Sequence, residues 1–573
     1  MSNLNITSKK QRTYDAIVIG SGASGGWAAK ELCDAGLKTL VLERGKNIRH
    51  IEDYHAASKA PYDFEFRGRL PLEKGNGLVY GINPGSRLEE SNIQWAMAED
   101  EQPVVQEKPF KWRRSYHVGG KSLLWARQTQ RWSDYDFEGP DRDGFAVDWP
   151  IRYKDIAPWY DHVEKFAGIS GDKDGLDVLP DGEFLPSIEL NVVEKHFKQV
   201  LQKEYGGSRH LIYARCAHLT DPQEIHIQQG RAKCVHQTLC NRGCIFGGYF
   251  SSNSSTIPWA LKTGNLTMRP DAVVESVIYD QEKRKATGVR IIDRLTKEPI
   301  EFYADIVFVN ASTINSNAIL LNSTSDRFPN GLGNDNELMG KFLTWHNYRG
   351  HAGASVPGFS HKKVEGNRPT NAYIPRFRNV KKQETDFLRG YAIGVSAGRG
   401  TNYSTDMIGE ELTESILNPK LSNDWYISTW MMGECVPVED NHMRLHKDLR
   451  DKYGIPQIVL SAEWKENDIK QADDYVEQCK EMFEKAGFEN IRASNRDTTP
   501  GSEIHEMGGV RMGKDPKTSL LNKWNQLHEC KNVFVTDGAS MTSGGSQNPT
   551  LHFMALTARA ANHAVKELKK GNL

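Results

Sequence analysis

Two groups of residues in this chain have the types and spacing to do chemistry. The first is Gly20-Ser21-Gly22-Ala23-Ser24-Gly25, which fits G-x-G-x-x-G. It follows an apolar run, Tyr14 to Gly20, that reads as a buried strand, and it leads into helical spacing over Ser24 to Ala35 and a second strand, Lys38 to Glu43. In that setting Gly20 permits a tight turn, Gly22 lets the backbone approach a pyrophosphate, and Gly25 lets the helix pack on the strand. Free amides of the helix N-terminus, around Ser24, then face the phosphates. Glu43, with Arg44 beside it, closes the second strand where a carboxylate can bind a ribose 2′-hydroxyl and repel a 2′-phosphate, so NADP is disfavoured. Spacing alone does not separate NAD from FAD, and a glycine turn without any ligand is the plain alternative.

The second group is made of thiols. Four of the eight cysteines, Cys216, Cys234, Cys240 and Cys244, crowd into one stretch of a chain too poor in cysteine for a disulfide scaffold. Thiolates ligate metals, but no CxxC pair supports zinc, and unligated cysteines in a turn are the other reading. Acid–base chemistry at neutral pH would call on a histidine. With 18 of them, none can be singled out from the residues alone.

The elements that must hold these groups begin as α/β. Strand, glycine turn, helix and strand make a βαβ unit with a right-handed crossover in a parallel sheet. From Tyr54 to Phe110 the pattern is irregular and reads as long surface excursions. Asp271 to Asp280, Thr287 to Asp293 and Ala304 to Asn310 read as a three-stranded meander. Alternating segments between 373 and 465, including Trp425 to Met432 and Ile458 to Ala462, point to a second, largely antiparallel sheet. Asp468 to Ala486 is an amphipathic helix ending at Gly487.

Lys plus Arg total 73 against 74 Asp plus Glu, so nothing in the charge balance favours nucleic acid. No apolar run approaches the roughly 20 residues of a membrane span. The first residues lack an export signal of their own. The expectation is a cytoplasmic protein, or a periplasmic one exported with a partner.

Three blocks carry a family resemblance. GSGASGGWAAKELCDAGLKTLVLERG, then HVGGKSLLWARQTQRW at 117–132, and HEMGGVRMG with NVFVTDGASMTSGGSQNPTLHFMALTARAA resemble the FAD-dependent glucose–methanol–choline oxidoreductases over nearly the whole chain. NASTINSNAILLNS at 310–323 is similar to a further family signature, with Ala311 where a glycine is usual. The resemblance implies a discontinuous Rossmann-like FAD unit (12–53, 110–150, 265–345 and 500–573). With it goes an α+β substrate unit on an antiparallel sheet (54–109, 151–264 and 346–499), carrying a cysteine-bearing insertion near 216–250. It implies non-covalent FAD, because Leu124 stands before Trp125 where some members attach the flavin through a histidine. Contacts to FAD are expected from Gly119, Gly120, Ser122, Val273, Asp537, Gly538, Asn548, Pro549 and Thr550, besides the opening motif.

The same resemblance makes His505 the base that takes the hydroxyl proton and Asn548 the group that orients the oxygen, with hydride passing to flavin N5. His552, one turn beyond Asn548, reads as a packing neighbour. The cysteine stretch resembles an insertion in sugar dehydrogenases that binds an iron–sulfur cluster. Cys234, Cys240 and Cys244 would then hold a three-iron cluster, with Cys216 as a possible fourth ligand. The run DWPIRYKDIAPWYDHVEKFAGISG and the phrase LPDGEFLP resemble glucoside 3-dehydrogenases, which implies a sugar or glycoside substrate, a small partner subunit and a cytochrome or other electron acceptor. Trp95, Trp425 and Trp430 could each offer a sugar an aromatic face. The alternatives are an oxygen-using oxidase without a cluster, and a non-catalytic flavin or carbohydrate binder.

Overall fold

The computed structural model describes residues 10–11, 14–79, 88–237, 239–362, 370–402, 407–417 and 420–573. Residues 12 and 13, at the expected start of the flavin unit, and 80–87, within the irregular stretch, lie outside the described residues.

Ala16–Ile19 (β1), the helix Ala23–Asp34 (α1) and Thr39–Leu42 (β2) form the expected βαβ unit, with β1 and β2 parallel. Every residue of both strands is buried, as suits parallel strands covered on two faces. Leu266–Arg269 (β3) extends this sheet beside β2. Ala272–Asp280 (β4), Lys285–Asp293 (β5) and Pro299–Tyr303 (β6) make an antiparallel meander. Ile306–Val309 (β7) leaves it to lie parallel between β1 and the strand Val533–Val535.

This corrects the sequence expectation, which gave Ala304 to Asn310 the third place in the meander. The residues explain the difference. Ile306-Val307-Phe308-Val309 is apolar on both faces and belongs in the middle of a parallel sheet, whereas Pro299–Tyr303 alternates between exposed or half-buried and buried positions, as an antiparallel strand with one wet face does.

Thr313–Asn322 (α2) follows β7. A seven-stranded antiparallel sheet is then built from Gly350–Val356 (β8), Ala372–Ile374 (β9), Tyr391–Asn402 (β10), Lys420–Glu434 (β11), Glu489–Asn495 and the two-residue strands Ile212–Tyr213 and His346–Asn347. Glu466–Lys485 (α3) buries Tyr475, Cys479, Met482 and Phe483 against it, and Gly487 turns the chain away at φ +69°. Trp425 to Met432 lies in this sheet as expected. Ile458 does not, because Pro456–Ser461 pairs with His442–Arg450 and with Val104–Gln106 in a separate three-stranded sheet.

Buried charges lock the antiparallel sheet to the segment between residues 133 and 143. Arg389 donates to Glu434 at 2.8 Å and to Asp143 at 2.9 Å, and Arg376 lies 3.0 Å from Asp136. Thr550–Lys569 (α4) runs back across α1 and closes the chain.

Candidate active site

The glycine turn closes one end of a cavity of about 960 Å³. Ligand pockets span roughly 300–1,000 Å³, so this one has room for a dinucleotide together with a small substrate. Gly20 adopts φ +94°, which only glycine takes readily. The helix α1 has no side-chain cap and no acidic residue in its first turn, so its first amides are open to an anion. A Cβ on Gly22 would meet nothing within 4 Å, which leaves room for a ligand against the bare backbone. Glu43 lines the cavity and holds the turn in shape, accepting from Ser21 N at 3.2 Å, Ser21 Oγ at 2.6 Å and Gly45 N at 2.9 Å. Burial pushes its carboxyl up, against the pull of those donors. These features fit a flavin dinucleotide.

The structure brings most of the expected contacts to this wall. Gly20, Gly22, Ser24, Glu43 and Arg44 line one part, Gly120 and Ser122 a second, and Asp537, Gly538, Asn548, Pro549 and Thr550 a third. Asp537 accepts from Ser316 Oγ at 2.6 Å and from Ala539 N at 3.0 Å, and burial pushes its carboxyl up to about 6.

Three expected residues stand off the wall. Gly25 packs on the turn itself, where a Cβ would lie 1.9 Å from the Gly20 carbonyl oxygen. Gly119 is pressed against Asn253 and donates its N–H to Ser21 Oγ at 2.9 Å. The side chain of Val273 packs with Ile292 and Tyr453, because strand alternation gives the cavity face to Ala272 and Val274 instead.

His505 and Asn548 meet on the cavity wall, with Asn548 Nδ2 3.4 Å from His505 Nε2. A backbone bridge between Thr344 and Met507, 2.9 Å in each direction, sets a second imidazole beside the first. His346 Nδ1 lies 2.8 Å from His505 Nδ1, and the rings stand at 89°. Ile504, between Glu503 and His505, has φ +66°, a strained conformation for a β-branched residue that the surrounding bridge maintains. Burial holds His346 down at about 3. Burial first, then His346 and Lys121, hold His505 well below its ordinary value, so it is neutral and able to accept a proton. Lys121 is itself paired with Glu506 at 3.0 Å.

An amide nitrogen can only donate, which places the His505 lone pair on Nε2 and its proton on Nδ1, donated to His346. Sequence reasoning did not find His346, since nothing in FLTWHNYRG relates it to a turn some 160 residues away. Strands of the antiparallel sheet bring His351, Trp430 and Met432 to the same cavity, and the residues flanking its strands bring Tyr348 and Asn371. Of the three tryptophans considered for a sugar face, Trp430 lines the cavity, while Trp95 and Trp425 are buried elsewhere. His552 is fully buried, stacked on Trp132 at 4.6 Å and 2.7 Å from Tyr160 Oη, a packing residue as expected.

Cys234, Cys240 and Cys244 share one loop and are half-buried. Burial pushes Cys234 up to about 11, with Cys240, Cys244 and Cys216 adding to the effect. Cys216 is buried against Tyr213 Oη at 2.8 Å. Among the described residues no three His, Cys, Asp or Glu side chains converge to hold a single metal ion. Beside the loop, Arg231 is 2% exposed with one guanidinium nitrogen unpartnered, and His218 is fully buried with both ring nitrogens unpartnered. Burial draws Arg231 down to about 9, and Cys244 is the group that opposes this.

Comparison with known proteins agrees with the geometry. The GMC oxidoreductase N-terminal family model matches residues 14–347, and the C-terminal model matches 437–557. The 2-methyl-1,2-propanediol dehydrogenase of Mycolicibacterium austroafricanum is 29% identical, covering 96% of this chain and 94% of its own. The fructose dehydrogenase large subunit of Gluconobacter japonicus is 24% identical, covering 98% and 100%. A formate oxidase of Aspergillus oryzae RIB40, solved to follow FAD modification, shares the fold at TM-score 0.58 and 12% identity, covering 99% of this chain and 100% of its own. The chain belongs to the GMC oxidoreductase family and carries out FAD-dependent oxidation of an alcohol or sugar.

Proposed function

We propose that this enzyme oxidises a secondary alcohol of a sugar or glycoside, the 3-hydroxyl of a glucoside, to a keto-sugar and passes the electrons to a partner protein. The observation that carries the reading is the Nε2 lone pair of His505, met by the Asn548 amide at 3.4 Å on the wall of the cavity that the dinucleotide turn also lines. Asn548 binds and orients the substrate oxygen, His505 Nε2 takes its proton, and the Nδ1 proton shared with His346 keeps that lone pair turned to the cavity. FAD bound along the glycine turn supplies the hydride acceptor. Trp430 and Tyr348, with His351 and Asn371, offer the aromatic face and polar groups that a pyranose ring needs.

Electron exit to a partner is supported by the likeness to a dehydrogenase large subunit. An iron–sulfur cluster on Cys234, Cys240 and Cys244 is supported by Arg231, a buried cation beside the thiols with no ion-pair partner among the described residues. An anionic cluster held by these thiolates would offset the cost of that buried cation. The cluster would supply one-electron transfer.

Anaerobic bleaching of the flavin across free sugars and glycosides, with product analysis, tests the reading. Bleaching by glucosides to 3-keto products is expected. Bleaching by simple diols alone would overturn the substrate class, and peroxide formed as fast as product would replace the partner with oxygen. Iron and sulfide absent after anaerobic purification would remove the cluster and leave the flavin chemistry intact.

A further inference from the structure

Three cations, Lys111, Arg113 and Arg496, line the cavity, and Lys111 and Arg496 are exposed, so they stand where it meets solvent. Backbone contacts set them near the reacting end. Lys111 N donates to the Pro500 carbonyl at 2.8 Å, which lays residues 111–113 on the loop that leads to His505, and Arg496 N donates to the Arg349 carbonyl at 3.0 Å, beside Tyr348. Tyr348 lies two residues beyond His346, the partner of His505, and its ring stands edge-on to His351 at 4.9 Å and 89°. Burial, then Glu503, push the Tyr348 hydroxyl up to about 12, and Arg113 and Arg496 are the groups that oppose this. Burial and, after it, Arg113 draw Lys111 below its ordinary value, as neighbouring like charges do.

The carboxylates nearby do not balance these charges. Glu503 is 1% exposed, and burial lifts it well above the usual carboxylate range, so it holds its proton at neutral pH. Asp497 faces Arg349 at 3.0 Å, and Glu506 faces Lys121 at 3.0 Å. Of the other acids on the cavity wall, Glu43 and Asp537 are held by the donors already described, and Glu275 lies 3.7 Å from Arg290. Among the described residues neither Lys111 nor Arg496 has a carboxylate within 4 Å, and the Arg496 side chain donates to Ser494 Oγ alone, at 3.4 Å. The phosphates of a dinucleotide belong at the open amides of α1, away from these side chains. Exposed cations are ordinarily left to water, but a cleft lined by one sign of charge focuses its field on whatever enters.

We propose that Lys111 and Arg496 take an acidic group of the substrate, a carboxylate or a phosphate, while a hydroxyl of the same molecule reaches His505, so that the enzyme prefers an anionic glycoside to a neutral one. This rests on the proposed oxidation of a sugar or glycoside and adds the charge of the substrate to it. The guanidinium offers two parallel N–H donors to such a group, and the lysine a point charge.

The test compares acids with their amides, which match in size and differ in charge. Anaerobic flavin reduction in the holoenzyme is followed with 4-carboxyphenyl and 4-carbamoylphenyl β-glucoside, and with methyl β-glucuronide and its amide, so that the acid is offered on either side of the ring. In at least one pair the acid should half-saturate reduction at about 10-fold lower concentration than the amide in low salt, and the gap should close at about 0.5 M NaCl. Lys111→Gln and Arg496→Gln should each cut that ratio about 2- to 5-fold, as expected of exposed ion pairs, and the double variant should bring it close to one. Both side chains are exposed, so the variants keep the core. Tighter use of methyl glucoside 6-phosphate than of the glucuronide would name phosphate as the group held. Equal half-saturation by acid and amide in both pairs, or a preference that persists in the double variant, would overturn the acidic subsite. Bleaching by simple diols and by no glycoside would instead defeat the substrate class on which it rests. Benzoate against benzamide as inhibitors of diol oxidation would then decide the subsite alone, equal inhibition overturning it.

Discussion

The Nδ1 atoms of His505 and His346 lie 2.8 Å apart, one ring edge-on to the other at 89°. Two neutral imidazoles can share that contact only if one donates, and the donor amide of Asn548 at Nε2 makes the donor His505. His346 thereby selects the tautomer whose lone pair faces substrate. In His346→Ala the proton of His505 is free to sit on either nitrogen. The limiting rate of flavin reduction should fall about 10- to 100-fold with FAD retained. His346→Asn can still accept at its carbonyl oxygen and should recover part of the loss. Anaerobic stopped-flow at saturating substrate separates this from a change in binding.

His505 itself should behave as the base. His505→Ala should lose roughly 10²–10⁴ in flavin reduction while the protein stays yellow. Its acid–base value is held well below the ordinary 6.5 by burial, His346 and Lys121, so the base form survives into acid. The reduction rate should be flat from pH 6 upward, and its acid limb should lie well below pH 6. Lys121→Met removes one repelling charge and raises the His505 value, so the limb should move to higher pH. Movement the other way would mean that the limb belongs to another group.

What the sequence made legible follows from locality. The βαβ unit, Gly20 and Gly22, Glu43 and α3 are all set by spacing within about 30 residues, and each stands where the pattern put it. His505 and Asn548 were reachable only through family resemblance, because the contact between them is made by folding two separate loops onto one cavity. His346 left no mark in the sequence at all, being delivered by a backbone bridge at Thr344 and Met507. The meander failed for a related reason: Ala304 to Asn310 and Pro299–Tyr303 both have strand composition, and only the competition for the parallel sheet decides which one leaves. Val273 shows the limit of a residue-level reading, since one step along a strand exchanges the cavity face for the core.

Glu43 should matter for holding FAD more than for chemistry. Its carboxylate takes three donors from Ser21 and Gly45, and those contacts set the glycine turn. Glu43→Ala leaves these buried donors without an acceptor, which costs about 1–3 kcal/mol. FAD affinity should drop roughly 5- to 150-fold, read as flavin lost on gel filtration and regained at high FAD. With the site refilled, the limiting reduction rate should be close to that of the wild type, because Glu43 bonds to Ser21 and Gly45 and not to His505 or Asn548. A loss of rate that excess FAD does not restore would show that the turn also sets the flavin ring in place.

Glu434 ties stability to catalysis. It is fully buried, accepts from Arg389 at 2.8 Å and Arg376 at 3.3 Å, and its backbone pairs with His346 at the end of β11. Glu434→Ala leaves two buried guanidiniums with Asp136 and Asp143 alone, and removing one partner from such a network costs about 3–5 kcal/mol. The thermal midpoint should therefore fall by several degrees, and flavin reduction should slow because the strand carrying His346 loses its anchor. Arg389→Met in the same chain removes the guanidinium whose 2.8 Å carboxylate partner is gone, so the double variant should melt above Glu434→Ala. If the double variant melts lower than either single change, Arg389 contributes through its packing on Tyr135 and Phe145 rather than through the carboxylate it faces.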